Sequence, residues 1–385
     1  MMEDKTLGRV LAIVGTRPEA IKMAPVLDAL EDRRGRVETR LALTGQHDEL
    51  VDEALATFRL EPDWDLGIMR EGQSLTEVGK ECLGAVSQIL EEWRPDIVLV
   101  QGDTASVFFG TLAAYLHRIP AGHVEAGLRT GDLQSPFPEE GFRRLAGVLV
   151  DLHFAPTPHA RENLLREGIS DERIYVTGNT IVDALQTVAD QERDPESPIL
   201  RRLVGPDGPP FILLTAHRRE SFGRPLERVF NAVLELVRQE EKVEIVYPVH
   251  PNPEVMDPAR QILGDHPRIH LLSPLPYPDL VAALAAATCV LTDSGGIQEE
   301  APTFGTPVLV LREMSERPEG IKAGVARLVG TDPDRIVEGA RALIGSAPER
   351  RRGRSANPYG DGQAGQRIAA LVEGFLRAGS QATKI

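Results

Sequence analysis

The sequence predicts an α/β protein built from two doubly wound domains. Short apolar runs alternate with longer segments of helical period along the whole chain. Most of those runs are nearly continuous, as strands buried on both faces of a parallel sheet are. A Pro- and Gly-rich stretch divides the chain near its middle, and 385 residues are too many for one core but suit two. Strand alternating with helix is the rhythm of a sheet covered on both faces.

In the first half the strand candidates are Val10–Val14, Thr39–Thr44, Ile97–Gln101, Ala121–Val124, Leu152–Ala155 and Ile174–Val176. In the second they are Phe211–Leu214, Ile245–Pro248, Ile269–Leu272, Cys289–Thr292, Val308–Leu311 and Ala326–Val329. The segment 18–30 is a helix by its stripe of Ala20, Met23, Ala24, Leu27 and Leu30. Pro18 suits its first turn, whereas Pro25 is expected to kink it. The break falls between Gly178 and Pro210, through the charged stretch 190–198 and Gly205-Pro206-Asp207-Gly208-Pro209-Pro210. A last helix is expected over Gln363–Arg377.

Composition narrows the function. The apolar fraction of 42% and charged fraction of 26% are those of globular proteins. A net charge of −15 argues against a duplex nucleic-acid binder, which needs a basic face, but leaves room for arginines focused on one anionic ligand. The two cysteines, Cys82 and Cys289, lie in apolar surroundings and read as buried thiols. The first residues are polar and lack a leader pattern, and no apolar run reaches the roughly 20 residues that span a bilayer. The expectation is a cytoplasmic protein without a membrane partner.

Ligands of open parallel sheets bind outside the carboxyl ends of the strands. Those exits are Gly15-Thr16-Arg17-Pro18-Glu19, Thr44-Gly45-Gln46-His47, Gln101-Gly102-Asp103-Thr104, His123-Val124-Glu125, His217-Arg218-Arg219, His250-Pro251 and Asp293-Ser294-Gly295-Gly296. A lone histidine at such a place is more often structural than functional. Four of them near Asp103 and Glu125 favour an active site, expected in a cleft between the domains. Asp293-Ser294-Gly295-Gly296 opens a helix and reads either as a phosphate cradle or as a tight turn. Glu299 and Glu300 on that helix suit hydrogen bonds from ribose hydroxyls. Arg17, Lys22, Arg218, Arg219 and Arg317 are either phosphate ligands or solvated surface cations. Glu139 and Glu140 open a helix carrying Arg143 and Arg144, either as site carboxylates or as partners of the helix dipole. The fingerprints of a bound dinucleotide or a P-loop are absent, as is a tight metal-binding spacing.

These residues fall within longer motifs. They are Gly15-Thr16-Arg17-Pro18-Glu19-Ala20-Ile21-Lys22, Gln101-Gly102-Asp103-Thr104, His123-Val124-Glu125-Ala126-Gly127, Pro138-Glu139-Glu140, Thr177-Gly178-Asn179-Thr180, His217-Arg218-Arg219-Glu220-Ser221, Asp293-Ser294-Gly295-Gly296-Ile297-Gln298-Glu299-Glu300 and Asn357-Pro358-Tyr359-Gly360. Together the sequence resembles the bacterial non-hydrolysing UDP-N-acetylglucosamine 2-epimerases almost end to end. The resemblance implies two Rossmann-like domains as in GT-B glycosyltransferases, 1–178 plus 366–385 and 179–365, the second binding UDP. It implies a homodimer, no cofactor and no metal. By matching position, Asp103, Glu125, Glu139 and His217 are implied as catalytic. Arg17, Lys22, Leu275, Leu280, Ser294, Gly295, Gly296, Glu300 and Arg317 are implied as UDP-sugar contacts. Gln46, His47, Gln73, Arg143 and His250 are implied to bind a second UDP-N-acetylglucosamine as activator. The implied reaction links UDP-N-acetylglucosamine and UDP-N-acetylmannosamine through elimination of UDP. Rival readings are a hydrolysing relative, a glycosyltransferase, a metal-dependent hydrolase and a UDP-sugar sensor without turnover. The sequence departs from the family pattern at Phe142, where an asparagine is expected, and at Leu275 and Leu280 in the uracil segment.

Overall fold

All twelve strands read from the sequence are present in the computed structural model, which describes residues 6–45, 49–70, 72–350 and 357–382. Contacts group the chain into two units, Met1–Ala184 with Gly360–Ile385 and Leu185–Tyr359. The crossings therefore lie at 184 and 360 rather than at 178 and 366. The difference has a local cause: Asp183 accepts a hydrogen bond from Gly365 N at 2.8 Å, tying residues on both sides of the excursion into the first unit.

The first unit holds β1 (Gly8–Val14), β2 (Val37–Leu43), β3 (Trp64–Asp65), β4 (Ile97–Gln101), β5 (Ala121–Val124), β6 (Leu152–Ala155) and β7 (Ile174–Val176). They form one parallel sheet in the order β3-β2-β1-β4-β5-β6-β7. Its helices are α1 (Arg17–Glu31), α2 (Glu49–Phe58), α3 (Leu75–Trp93), α4 (Ala105–Leu116), α5 (Glu139–Leu149), α6 (Pro158–Arg166) and the start of α7 (Thr180–Ala189). The sequence reading missed β3, because two residues are too few to show a period; Trp64 and Asp65 pair with Ala42 and Leu43 of β2.

The second unit holds β8 (Phe211–Thr215), β9 (Glu244–Pro248), β10 (Ile269–Leu272), β11 (Cys289–Thr292), β12 (Val308–Val310) and β13 (Ala326–Leu328), again all parallel, in the order β10-β9-β8-β11-β12-β13. Its helices are α8 (Pro198–Val204), α9 (Arg224–Gln239), α10 (Pro253–Leu263), α11 (Tyr277–Ala286), α12 (Gly295–Glu300), α13 (Pro318–Lys322) and α14 (Pro333–Arg350). The last helix, α15 (Ala364–Ala382), belongs to the first unit and packs on α1. In each sheet the order reverses between two neighbours, β1 and β4 in one, β8 and β11 in the other. Those are the switch points where such sheets take their ligands.

Burial follows the sequence pattern. Val10–Val14 and Ile97–Val100 are almost wholly inaccessible, as are Phe211–Leu214 and Cys289–Leu291. In α1 the predicted stripe is buried, and so are Ile21, Val26 and Ala29, because α15 covers a second face. Truncating a buried residue such as Leu27 to alanine costs about 2–5 kcal/mol. The helix is unbroken through Pro25, and a β-carbon on Gly365 would collide with the Pro25 carbonyl. Glycine at 365 is thus what lets α15 lie so close. Both cysteines are buried free thiols. Among the described residues no helix is long and apolar enough to cross a membrane.

Candidate active site

At the first switch point the chain leaves β1 through Gly15 and leaves β4 through Gly102-Asp103-Thr104. A β-carbon on Gly15 would collide with the Ser106 and Thr44 hydroxyls, so only glycine fits this turn. One turn into α1, Lys22 Nζ forms a short ion pair with Glu125 Oε1. Glu125 also accepts from Gln101 Nε2 at 2.6 Å and from Asn179 Nδ2 at 3.1 Å. Its backbone has φ 67°, in the left-handed region that a non-glycine residue seldom adopts. Three polar partners from three elements thus fix one carboxylate at the β5 exit.

Asp103 is held differently. Arg143, from α5, meets it at 2.7 Å between Nη2 and Oδ2 and lies 3.6 Å from Glu140. The Arg143 side chain is 8% exposed and that of Asp103 35%, so the acid keeps an open side while its partner is enclosed. Glu140 is fully buried and accepts from Thr130 N and Gly131 N. Its neighbour Glu139 keeps a buried Oε2 with no hydrogen-bond partner, which is what a site carboxylate needs and a dipole partner does not. His123, also at the β5 exit, is buried and donates from Nε2 to the Gly102 carbonyl at 2.7 Å. Burial, opposed by that bond, lowers its pKa to about 4, so it is a neutral buttress of the Asp103 loop rather than a cation.

The second switch point is built around Asp293, which follows β11. It is 1% exposed, and Oδ2 accepts from His217 N and Arg218 N, both at 2.8 Å. The β8 exit is thereby clamped to the β11 exit. The His217 ring stacks on His250, from the β9 exit, with centroids 5.4 Å apart and planes 14° apart. Burial holds the His217 pKa below its usual value; Asp293 works against that shift, while His250 and Arg218 add to it. His250 Nδ1 accepts from Asn252 N at 3.1 Å, which leaves the ring proton on Nε2.

Next to Asp293, Ser294 caps α12 and Gly295 and Gly296 form its first turn. A β-carbon on Gly295 would stand 3.6 Å from Arg218 Nη2 and 3.7 Å from Arg317 Nη2. Two guanidinium groups and a helix start therefore converge on a bare backbone, which favours the cradle over the tight turn. Arg317 is fixed by a short ion pair to Glu299, which is 1% exposed. That separates the two carboxylates of α12: Glu299 orients Arg317, and the less buried Glu300 reaches to 3.5 Å from the β-carbon position of Gly296. Leu275 is buried in the loop after β10 and Leu280 is half-buried on α11, at the same strand ends.

Other sequence-predicted residues are placed as follows. Arg17 opens α1 and lies 3.8 Å from Glu53 of α2. Gln73 precedes α3 and accepts from Arg70 N at 3.1 Å. Gln46 and His47 lie outside the described residues. The resemblance puts Arg143 and His250 with an activator and Asp103 and His217 with catalysis, yet each pair is in direct contact. Phe142 turns into an aromatic cluster, stacked on Phe108 at 5.4 Å and edge-on to Phe109 at 5.9 Å. Gln101, Asn179 and Asp293 were not singled out in sequence. Their signal was present, since each ends or follows a strand inside a quoted motif; Gln101 and Asn179 carry no charge to draw notice, and Asp293 acts on backbone N–H groups whose position the sequence does not show.

A family model described as UDP-N-acetylglucosamine 2-epimerase matches residues 29–373. The chain is 48% identical over 374 residues to the UDP-N-acetylglucosamine 2-epimerase of Salmonella typhimurium, covering 95% of this chain and 99% of that one. Among solved structures, a putative UDP-N-acetylglucosamine 2-epimerase from Listeria monocytogenes is similar with TM-score 0.89 and 45% identity, over 96% of this chain and 97% of that one. The Neisseria meningitidis enzyme, solved bound to UDP-N-acetylglucosamine, matches with TM-score 0.85 and 40% identity, over 94% and 99%. A glycosyltransferase structure of 16% identity and TM-score 0.61 shares the fold, a GT-B-like pair of Rossmann-like domains. The chain is an epimerase and belongs to the UDP-N-acetylglucosamine 2-epimerase family.

Proposed function

We propose that this protein reversibly epimerises UDP-N-acetylglucosamine and UDP-N-acetylmannosamine at C2 without hydrolysis. The substrate carries over from the Neisseria complex. The observation that carries the route is the convergence of Arg218 and Arg317 on Gly295, which suits a diphosphate leaving group. The C2 hydrogen is not adjacent to a carbonyl, so its direct removal is unfavourable. Cleaving the anomeric C–O bond first sends the electron pair to UDP and leaves positive charge at C1. That charge acidifies the C2 hydrogen. A carboxylate takes the proton, the C–H electrons form the C1–C2 double bond, and 2-acetamidoglucal results. In return, UDP adds at C1 while a proton reaches C2 from the opposite face.

The residues fit those steps. Guanidinium groups and the α12 start stabilise the departing diphosphate. Asp103, Glu125 and Glu139 supply acid–base groups, and Lys22 and Arg143 pair with two of them and fix their orientation. Neutral His217 suits a hydrogen bond to the sugar or diphosphate better than it suits a fixed charge. Arg17, Lys22, Ser294, Gly296 and Glu300, with the Leu275–Leu280 segment for uracil, complete the proposed substrate contacts. The product is an activated amino sugar of the kind cell-envelope polysaccharides consume, so a cytoplasmic role fits.

The deciding experiment is a proton-NMR time course with UDP-N-acetylglucosamine in deuterated water. Both epimers acquire deuterium at C2, and free sugar does not accumulate. Asp103→Asn, Glu125→Gln and Glu139→Gln each lower kcat by roughly 10²–10⁴ while UDP binding survives. Turnover without label, or N-acetylmannosamine as the main product, rejects the route.

A second reading concerns assembly. Helix α4 has no charged residue, and Tyr115 and Leu116 at its end are 58% and 60% exposed. On α5, which packs beside it, Leu145 and Val148 are 52% and 70% exposed. Two adjacent helices with apolar outer faces fit a homodimer interface.

A further inference from the structure

Glu19 is a buried carboxylate with no part in the chemistry above. It lies on α1 at the first switch point and is 2% exposed. Its Oε2 accepts from Gly15 N at 2.5 Å and from Thr16 N at 3.2 Å, both on the β1 exit. Its Oε1 accepts from the Thr104 hydroxyl on the β4 exit. Thr104 immediately precedes α4 and directly follows Asp103. One side chain therefore spans the point where the strand order reverses. It joins the turn that leads into α1, the helix of Arg17 and Lys22, to the turn that carries Asp103.

We propose that Glu19 is a positioning residue for Asp103. The proposal rests on the reading of Asp103 as an acid–base group. Asp103 has two attachments of different kinds. Arg143 holds its carboxylate from α5, and the Glu19–Thr104 bond holds its backbone from α1. A carboxylate on a glycine-led loop, 35% exposed on its open side, needs both to keep one orientation. Glu19 is the third residue of α1 and completes a capping box with Thr16, a role that needs only the Thr16 N–H bond. What glutamate adds is reach to a second strand exit. Burial raises its pKa to about 7; the bonds from Thr104 and Gly15 oppose this and the nearby Asp103 charge adds to it.

The test is a double-mutant cycle in the full-length enzyme. Glu19→Ala removes the bridge and lowers kcat by about tenfold or more with KM within about twofold. Glu19→Gln keeps it, because the amide oxygen takes the two N–H groups and the amide nitrogen donates to Thr104; kcat returns to within about threefold of wild type. Thr104→Val cuts the bond from the other side in a variant with little risk to folding, and lowers kcat by about threefold or more. In an Asp103→Asn background, Glu19→Ala and Thr104→Val each change kcat by less than about twofold, because the residue they position no longer works. Losses that multiply with that of Asp103→Asn overturn the role of Glu19 and leave the reading of Asp103 standing. An Asp103→Asn enzyme with wild-type kcat overturns both.

Discussion

Arg143 reaches from α5 to the Asp103 carboxylate at 2.7 Å, although forty positions separate the two residues in the chain. Arg143 also faces Glu140, so one enclosed guanidinium compensates two acids. Removing it leaves buried Glu140 and partly exposed Asp103 without this cation, a change that costs several kcal/mol for an enclosed acid that stays charged. Arg143→Met is therefore expected to lower basal kcat at least about tenfold. The resemblance assigns Arg143 to an activator, and that role alone would spare the basal rate. Steady-state kinetics of the variant at low UDP-N-acetylglucosamine decides between them.

The stacked pair His217 and His250 makes a related forecast. His250 and Arg218 lower the His217 pKa, and Asp293 raises it. His250→Ala removes a neighbour that lowers the His217 pKa and opens the ring to water. Both changes favour the imidazolium, so the His217 pKa rises; Asp293→Asn moves it the other way. Imidazole chemical shifts followed through a pH titration read this directly. An activator reading of His250 expects loss of activation to exceed loss of UDP affinity. The stack predicts a changed pH profile of kcat as well, and an unchanged profile argues that His250 serves only a second ligand.

Much of this was legible in the sequence, for a physical reason. Parallel strands buried on both faces must be aliphatic runs, so Ile97–Gln101 and Cys289–Thr292 announced themselves to the residue. Strand exits are where such sheets carry polar residues, so Asp103, Glu125 and His217 could be named as candidates from position. Pairing could not be named. Whether Lys22 meets a phosphate or Glu125, and which of Glu299 and Glu300 holds Arg317, depends on side-chain directions set by packing. Phe142 is a further case. As a letter it replaces an expected asparagine beside Arg143; in the fold it joins Phe108 and Phe109, with the Phe109 ring over Gly79 of α3.

Acid sensitivity follows from two histidines on neighbouring strands. His123 and His153 are register partners of β5 and β6, and both are buried. Neither ring nitrogen of His153 has a hydrogen-bond partner. Burial lowers the His123 pKa to about 4 and the His153 pKa to about 3. In the unfolded chain both titrate near 6.5. Below that pH the unfolded state takes up protons that the folded state refuses, so the contribution of these two histidines to stability falls as pH drops from 6.5 towards 4, with the His153 share lost down to about 3, while Glu19, raised to about 7, works in the opposite direction. His153→Leu keeps similar volume and removes two unsatisfied nitrogens. It is expected to flatten the denaturation midpoint against pH over this window without loss of stability at pH 7. A midpoint that falls as steeply as in wild type places the acid-labile groups elsewhere.

The last expectation concerns the apolar faces of α4 and α5. On α4, Phe108, Leu112 and Tyr115 recur at helical spacing, with Leu116 beside them; on α5, Phe142, Leu145 and Val148 do the same. Phe108 and Phe142 stack, so the two stripes join into one surface. Its inner part is half-buried and its outer part, from Tyr115 to Val148, is exposed. A monomer gains nothing from four large apolar side chains in water, whereas a second copy covering them gains roughly 25 cal/mol for each Å² of apolar area buried. A stable interface of about 800 Å² per partner has room for both stripes. Leu145→Asp combined with Val148→Asp places two like charges where identical surfaces would meet. Sedimentation velocity at micromolar concentration is expected to give a dimer for the wild type and a monomer for the double variant, with circular dichroism unchanged. A wild-type monomer, or a double variant that still dimerises, shows that these helices do not form the interface.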